Sequence, residues 1–238
     1  MRRWVWQLIG LLLLAGCSPH EEQSYPLNPS ERVPRLKRVT VAPRFTPLRI
    51  PSQKQPLSLE AALRGALCPL DIRQRLEIVN VEYWGFDARA HKGQLVIHRD
   101  LASDVRSIFA ELLQKRFPIQ SIEPIVVYRW SDDDSMQENN TSGFNYRNVL
   151  GTERLSNHAT GCAIDVNPKI NPYFRNGASM PPNATYDVGR KGAITPVIAQ
   201  VFERHGWRWG GTWREKDWQH FDKTVQGERK EGEHASLP

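Results

Sequence analysis

The chain has no apolar run long enough to cross a bilayer: the stretch Trp4 to Leu14 falls short of the ~20 residues that a spanning helix needs. No internal repeat is present, which excludes stacked-repeat architectures. Strands and helices do not alternate strictly as βαβ units, so a doubly wound parallel sheet is not expected. Cysteine is limited to three positions, Cys17, Cys68 and Cys162. With Cys17 set aside, one disulfide between Cys68 and Cys162 or two buried thiols are equally compatible with the sequence. The folded part lacks basic residues interleaved with aromatics, so no nucleic-acid partner is expected.

What is present begins at the amino terminus. Arg2 and Arg3 precede the apolar run, and the small residues Ala15 and Gly16 stand before Cys17. These are the n-region, h-region and cleavage site of an export signal. Leu14-Ala15-Gly16-Cys17 resembles a bacterial lipobox, which implies a leader over residues 1–16, cleavage before Cys17, and lipidation of its thiol. The mature chain would be anchored in a membrane and face an oxidising compartment. Ser18 after the cysteine resembles outer-membrane sorting toward the periplasm in a Gram-negative host; a Gram-positive host would place the chain outside the cytoplasmic membrane.

The formal net charge of +6 falls to +4 when Arg2 and Arg3 leave with the leader. Between Glu31 and Lys54 seven cations, Arg32, Arg35, Lys37, Arg38, Arg44, Arg49 and Lys54, face one acid. Pro34, Pro43, Pro47 and Pro51 interrupt the same stretch, so residues 17–56 read as an extended, semi-rigid basic tether. It suits anionic headgroups or acidic wall polymer, or simply a solvated spacer. Residues 226–238 are charged, without apolar periodicity, and read as a disordered tail.

Residues 57–225 have the composition of one globule. Leu59, Ala62, Leu63, Ala66 and Leu67 recur at helical spacing behind Ser58 as a cap. Leu76 to Tyr83 reads as a strand with Gly93 to His98 as its hairpin partner. Asp100 to Arg116 is an amphipathic helix stopped near Pro118, Ile125 to Tyr128 a short strand, and Ser131 to Asn148 a long polar loop. A further helix covers Thr195 to His205 and closes at Gly206. The expected fold class is α+β, a small mostly antiparallel sheet with packed helices.

Chemistry concentrates in two stretches. In LSNHATGCAIDVNP, Leu155 to Pro168, a carboxylate sits on a strand that also carries Ile164 and Val166. Burying it is costly unless it is paired, hydrogen-bonded or bound to a metal. Ala163, Asp165 and Asn167 share one strand face, and Gly161 permits a turn that folds His158 back toward Asp165. In KDWQHFD, Lys216 to Asp222, His220 follows Asp217 by three positions, on a helix or across a sharp bend. Two histidines and a carboxylate leave a tetrahedral zinc ion one open position for water, with Asp217 as the general base. His20, His91, His98, His205 and His234 have no carboxylate at a suggestive spacing and read as surface or structural. Trp207, Trp209, Trp213 and Trp218 belong either to a substrate groove or to the core.

Ser156-x-His158-x-x-Gly161-x-Ala163-x-Asp165 followed by Asp217-x-x-His220 resembles the zinc D-alanyl-D-alanine carboxypeptidases and L-alanyl-D-glutamate endopeptidases of the VanY kind, which share a fold with hedgehog domains. The resemblance extends from about Tyr83 to Asp222 and includes GWRWGGTW. It implies that His158, Asp165 and His220 bind zinc, that Asp217 activates water, and that peptidoglycan stem peptides are the substrate. Aspartate rather than glutamate as the base resembles the endopeptidase-related branch. The family also uses an arginine ahead of the first histidine for the substrate carbonyl, with Arg147 the choice here and Arg129 the runner-up. Ser156 would hydrogen-bond substrate or a ligand. Three other readings stand beside this one: an iron oxygenase on the same donor set, a catalytically silent zinc-containing wall-binding module, and a structural lipoprotein whose working part is the tether.

Overall fold

In the computed structural model, residues 55–225 are described. The leader with Cys17, the tether up to residue 54 and the tail from residue 226 therefore lie outside the described residues. Ser58 caps α1 (Leu59–Ala62), its Oγ accepting from the Ala61 amide, and α2 (Leu70–Arg73) follows. The first large element is the hairpin of β1 (Leu76–Trp84) and β2 (Ala90–His98), paired antiparallel from Leu76 opposite His98 to Trp84 opposite Ala90.

Chain 99–101 forms one 3-10 turn before α3 (Ala102–Gln114). Val105, Ile108, Phe109 and Leu112 fall on one side of α3 and are buried. They share a core with Val79, Val81, Leu95 and Ile97 of the hairpin, as helical and strand periodicities predict. Packed on the same core, with Phe202 against Phe109 of α3, is α5 (Pro196–Glu203), capped by Thr195, opened by proline, and followed by Gly206 at φ +76°. Phe202 of α5 stacks on Phe221, ring centroids 3.7 Å apart.

Fold class α+β holds, but the sheet is not one piece. Among the described residues there are four small sheets. β3 (Ser121–Ile122) pairs parallel with β4 (Asn140–Thr141), and β6 (Tyr173–Arg175) antiparallel with β7 (Ala178–Met180). The site-bearing sheet has β5 (Ala163–Asp165) and β8 (Arg208–Trp209) on either side of β9 (His220–Asp222), all antiparallel.

Three expectations need correction. The helical stripe behind Ser58 stops early: α1 ends at Ala62, and Leu67 at the far end of the stripe is exposed. Ile125–Tyr128 is a 3-10 helix, not a strand: Pro124 leads it in, and it ends where Arg129 and Trp130 adopt positive φ. Its i, i+3 pair Ile125 and Tyr128 is buried, so an apolar run too short to show its period concealed a turn. The stretch Ser131 to Asn148 is not one long loop either. It holds α4 (Asp132–Gln137), capped by Ser131, as well as β4, and chain 139–145 is buried throughout.

Candidate metal and catalytic site

Asp165 and His220 are register partners across β5 and β9, so the pleat points both side chains to the same face. Their strand neighbours Ile164 and Phe221, themselves register partners, point the other way and are fully buried. The apolar face of this small sheet thus anchors in the core while its polar face carries the chemistry.

His158 reaches the same point from a 3-10 turn over Asn157–Thr160. Gly161 ends that turn at φ +73°, and a Cβ there would lie 2.5 Å from the His98 backbone nitrogen, so glycine is required both by conformation and by space. The polar stretch before it holds the turn in place: the Asn145 amide donates to the His158 carbonyl, and the Ser156 amide to the Arg147 carbonyl. Ser156 Oγ accepts from the His158 amide at 3.2 Å.

His158 Nδ1 lies 2.7 Å from the Gly143 carbonyl oxygen, so that nitrogen carries the proton and Nε2 keeps its lone pair. His158 Nε2 lies 3.2 Å from His220 Nδ1 and 3.2 Å from Asp165 Oδ2. His220 Nδ1 lies 2.9 Å from Asp165 Oδ1. One donor atom from each residue falls within 4.8 Å of the others, and all three residues are buried. Such a donor set suits a divalent cation that accepts nitrogen and oxygen ligands.

The charges fit that reading. Burial opposes ionisation of Asp165, but His158 and then His220 outweigh it and hold the carboxyl far below its usual range. Burial likewise disfavours the His220 cation, yet the Asp165 and Asp222 carboxylates push its pKa up to about 10. Without a metal the Asp165 anion pairs with the His220 cation, and a divalent cation would take the place of that proton.

Asp217 stands at the bend before β9, where the His220 amide donates to its carbonyl. The bend packs tightly on Gly210, whose missing Cβ would lie 2.6 Å from the Asp217 carbonyl oxygen. The Asp217 side chain keeps Oδ1 out of solvent with no hydrogen-bond partner. Desolvation pushes its pKa up to about 7, with His220 and Arg147 pulling the other way and Asp165 adding to the rise.

Arg147 and Asp217 line one cavity of about 1370 Å³ together with Ser156, His158, Asp165 and His220. Arg147 is held by Asp132 at 2.9 Å, while its buried Nε has no partner. Arg129 is exposed, follows the 3-10 helix at φ +54°, and is not part of the cavity wall. Of the four tryptophans considered for a groove, Trp213 lines the cavity with its ring 5.3 Å from that of His220. Trp207 and Trp209 are core, and Trp218 packs against it while stacking on Tyr186.

The remaining described histidines fall outside the cluster. His91 pairs with Asp87, His98 lies 3.8 Å from Asp100, and His205 lies 3.9 Å from Asp104. Cys68 and Cys162 are not bonded to each other, and the Cys162 thiol faces the Thr160 carbonyl. Sequence reasoning missed Asp222, Arg208 and Asn157. Asp222 accepts from Arg208 Nε and Nη2, both at 2.9 Å, and from Asn157 Nδ2 at 2.5 Å. Its pKa is pulled down to about 2; burial opposes this, but His220 and Arg208 outweigh it. The available signal was spacing: His220 and Asp222 are two apart on a strand and so share a face.

No curated protein and no solved structure matches the chain. Residues 150–223, which contain Ser156, His158, Asp165, Asp217 and His220 but not Arg147, match the family model described as D-alanyl-D-alanine carboxypeptidase, and this match supports the peptidase family that the two motifs resemble.

Proposed function

We propose that the chain is a zinc-dependent peptidase that hydrolyses peptide bonds in peptidoglycan stem peptides, as a D-Ala-D-Ala carboxypeptidase or as an endopeptidase of related type. The observation that carries this reading is the convergence of His158, Asp165 and His220 on one point of a large cavity, beside a carboxylate whose Oδ1 has no partner. Two imidazoles and one carboxylate leave a tetrahedral zinc ion one ligand short, as in hydrolytic rather than structural sites. When bound, zinc supplies Lewis acidity toward water and the scissile carbonyl.

The chain's own residues do the rest. Asp217, with a pKa near neutrality, takes the proton from the attacking water and returns it to the leaving amine. Arg147, held at one end by Asp132, brings its guanidinium to the cavity wall, where it can meet the developing negative charge on the carbonyl oxygen. Ser156 uses its Oγ lone pair on the His158 amide and has its hydroxyl proton left for substrate. Trp213 supplies an apolar wall beside His220. No described helix is long and apolar enough to cross a membrane. The lipobox-like Leu14-Ala15-Gly16-Cys17 supports lipidation of Cys17, with the tether over residues 17–56 linking the catalytic domain to its membrane.

Chelation and restoration test the reading. Zinc-loaded protein should release a fragment from a defined stem peptide, lose that activity after exhaustive chelation, and regain it with added zinc. Protein shown to carry zinc that cleaves none of the stem peptides would instead favour a wall-binding module.

A further inference from the structure

We propose that Asp222 is a positioning residue that selects which ring nitrogen of His220 faces the metal, and that the Asn157–Asp222–Arg208 group thereby sets metal affinity. The inference rests on His158, Asp165 and His220 being the metal ligands.

Asp222 lies two residues beyond His220 on β9, so both side chains leave the sheet on one face. Its register partner on β5 is Ala163, whose methyl group leaves that face free for the carboxylate. Asp222 is 2% exposed, and a carboxylate so buried requires partners. Arg208 supplies two donors in a fork, and Asn157 supplies a third. Asp222 Oδ2 then lies 3.8 Å from His220 Nε2, within ion-pair distance. Nδ1 of the same ring points the other way, to Asp165 and His158.

Protonation of Nε2 toward Asp222 leaves the Nδ1 lone pair for the cation, the arrangement by which outer carboxylates orient ligating histidines. His158 is fixed in the opposite sense by the Gly143 carbonyl on its Nδ1, so the two rings present different nitrogens to one point. Asn157 immediately precedes His158 in its 3-10 turn. One buried carboxylate therefore ties the segment bearing the first histidine to the strand bearing the second.

The test is zinc affinity, measured on the full chain by competition with a chromophoric chelator. Asp222→Asn should bind zinc about 10–100-fold more weakly, whereas Arg208→Gln, which keeps the carboxylate, should lose less; urea unfolding of the metal-free forms checks that both fold. Wild-type affinity in a folded Asp222→Asn would overturn the inference. A wild type that binds no zinc would sink the metal reading itself, a separable result. Long-range ¹⁵N spectra of the zinc-loaded wild type need no variant: a proton on His220 Nε2 is expected, and a proton on Nδ1 would refute the proposal.

Discussion

If zinc binds at His158, Asp165 and His220 as proposed, the state of His220 in the metal-free protein should make its affinity steeply dependent on pH. Burial alone would favour the neutral ring, but Asp165 and Asp222 hold the proton and push the pKa up to about 10. A ligating imidazole must be neutral, so binding at pH 7 expels that proton. About three pKa units separate pH 7 from the folded value, a penalty of about 4 kcal/mol on zinc affinity. The penalty shrinks as pH rises, so the apparent affinity should grow about tenfold per pH unit from pH 7 to pH 9. Stability of the metal-free chain runs in the opposite direction. Because the folded pKa lies above the ordinary 6.5, this group's contribution is full below about pH 6.5 and is lost as pH climbs through about 10. Chelator competition at half-unit steps, corrected for the chelator's own titration, measures the first effect, and urea midpoints of metal-free protein measure the second. A zinc affinity that stays flat between pH 7 and pH 9 would refute the reasoning.

Asp217→Asn should lower the rate of stem-peptide hydrolysis by about 10²–10⁴ while leaving zinc content near the wild-type value; steady-state kinetics beside metal analysis checks both. Gly161→Ala should cost about 2–5 kcal/mol, from an L-residue forced to positive φ and a methyl pressed on the His98 and Ile97 backbone. Urea unfolding reads this directly, and a loss below about 1 kcal/mol would mean that the turn before Cys162 relaxes freely.

Elements with long, clean periods were readable in the sequence. The hairpin follows from alternation, and α3 and α5 from their apolar stripes, with Gly206 closing the second. Short pieces were not: in Ile125–Tyr128, four apolar residues fit a strand or a turn equally, and Pro124 decides only once the packing is known. The stretch 131–148 looked solvated because its asparagines, serines and threonines are polar. Asn140 shows why it is buried: its side chain bonds Ser135, the Glu123 amide and the Glu123 carbonyl, replacing water with backbone partners. Within the site, local spacing suggested His158, Asp165, Asp217 and His220. Strand register decides that Asp165 and His220 stand opposite each other, and register is a long-range property that no local pattern states. Asp222 went unnoticed for the same reason, since its value depends on Arg208 and Asn157 arriving from other segments.

The most direct test of the central claim is mass spectrometry of the products when zinc-loaded protein acts on purified peptidoglycan, with chelated protein and Asp217→Ala alongside. A stem-peptide fragment, or the loss of a terminal residue, should appear only with the zinc-loaded wild type. An unchanged peptidoglycan digest from protein with stoichiometric zinc, or the same fragment from Asp217→Ala at the wild-type rate, would contradict it.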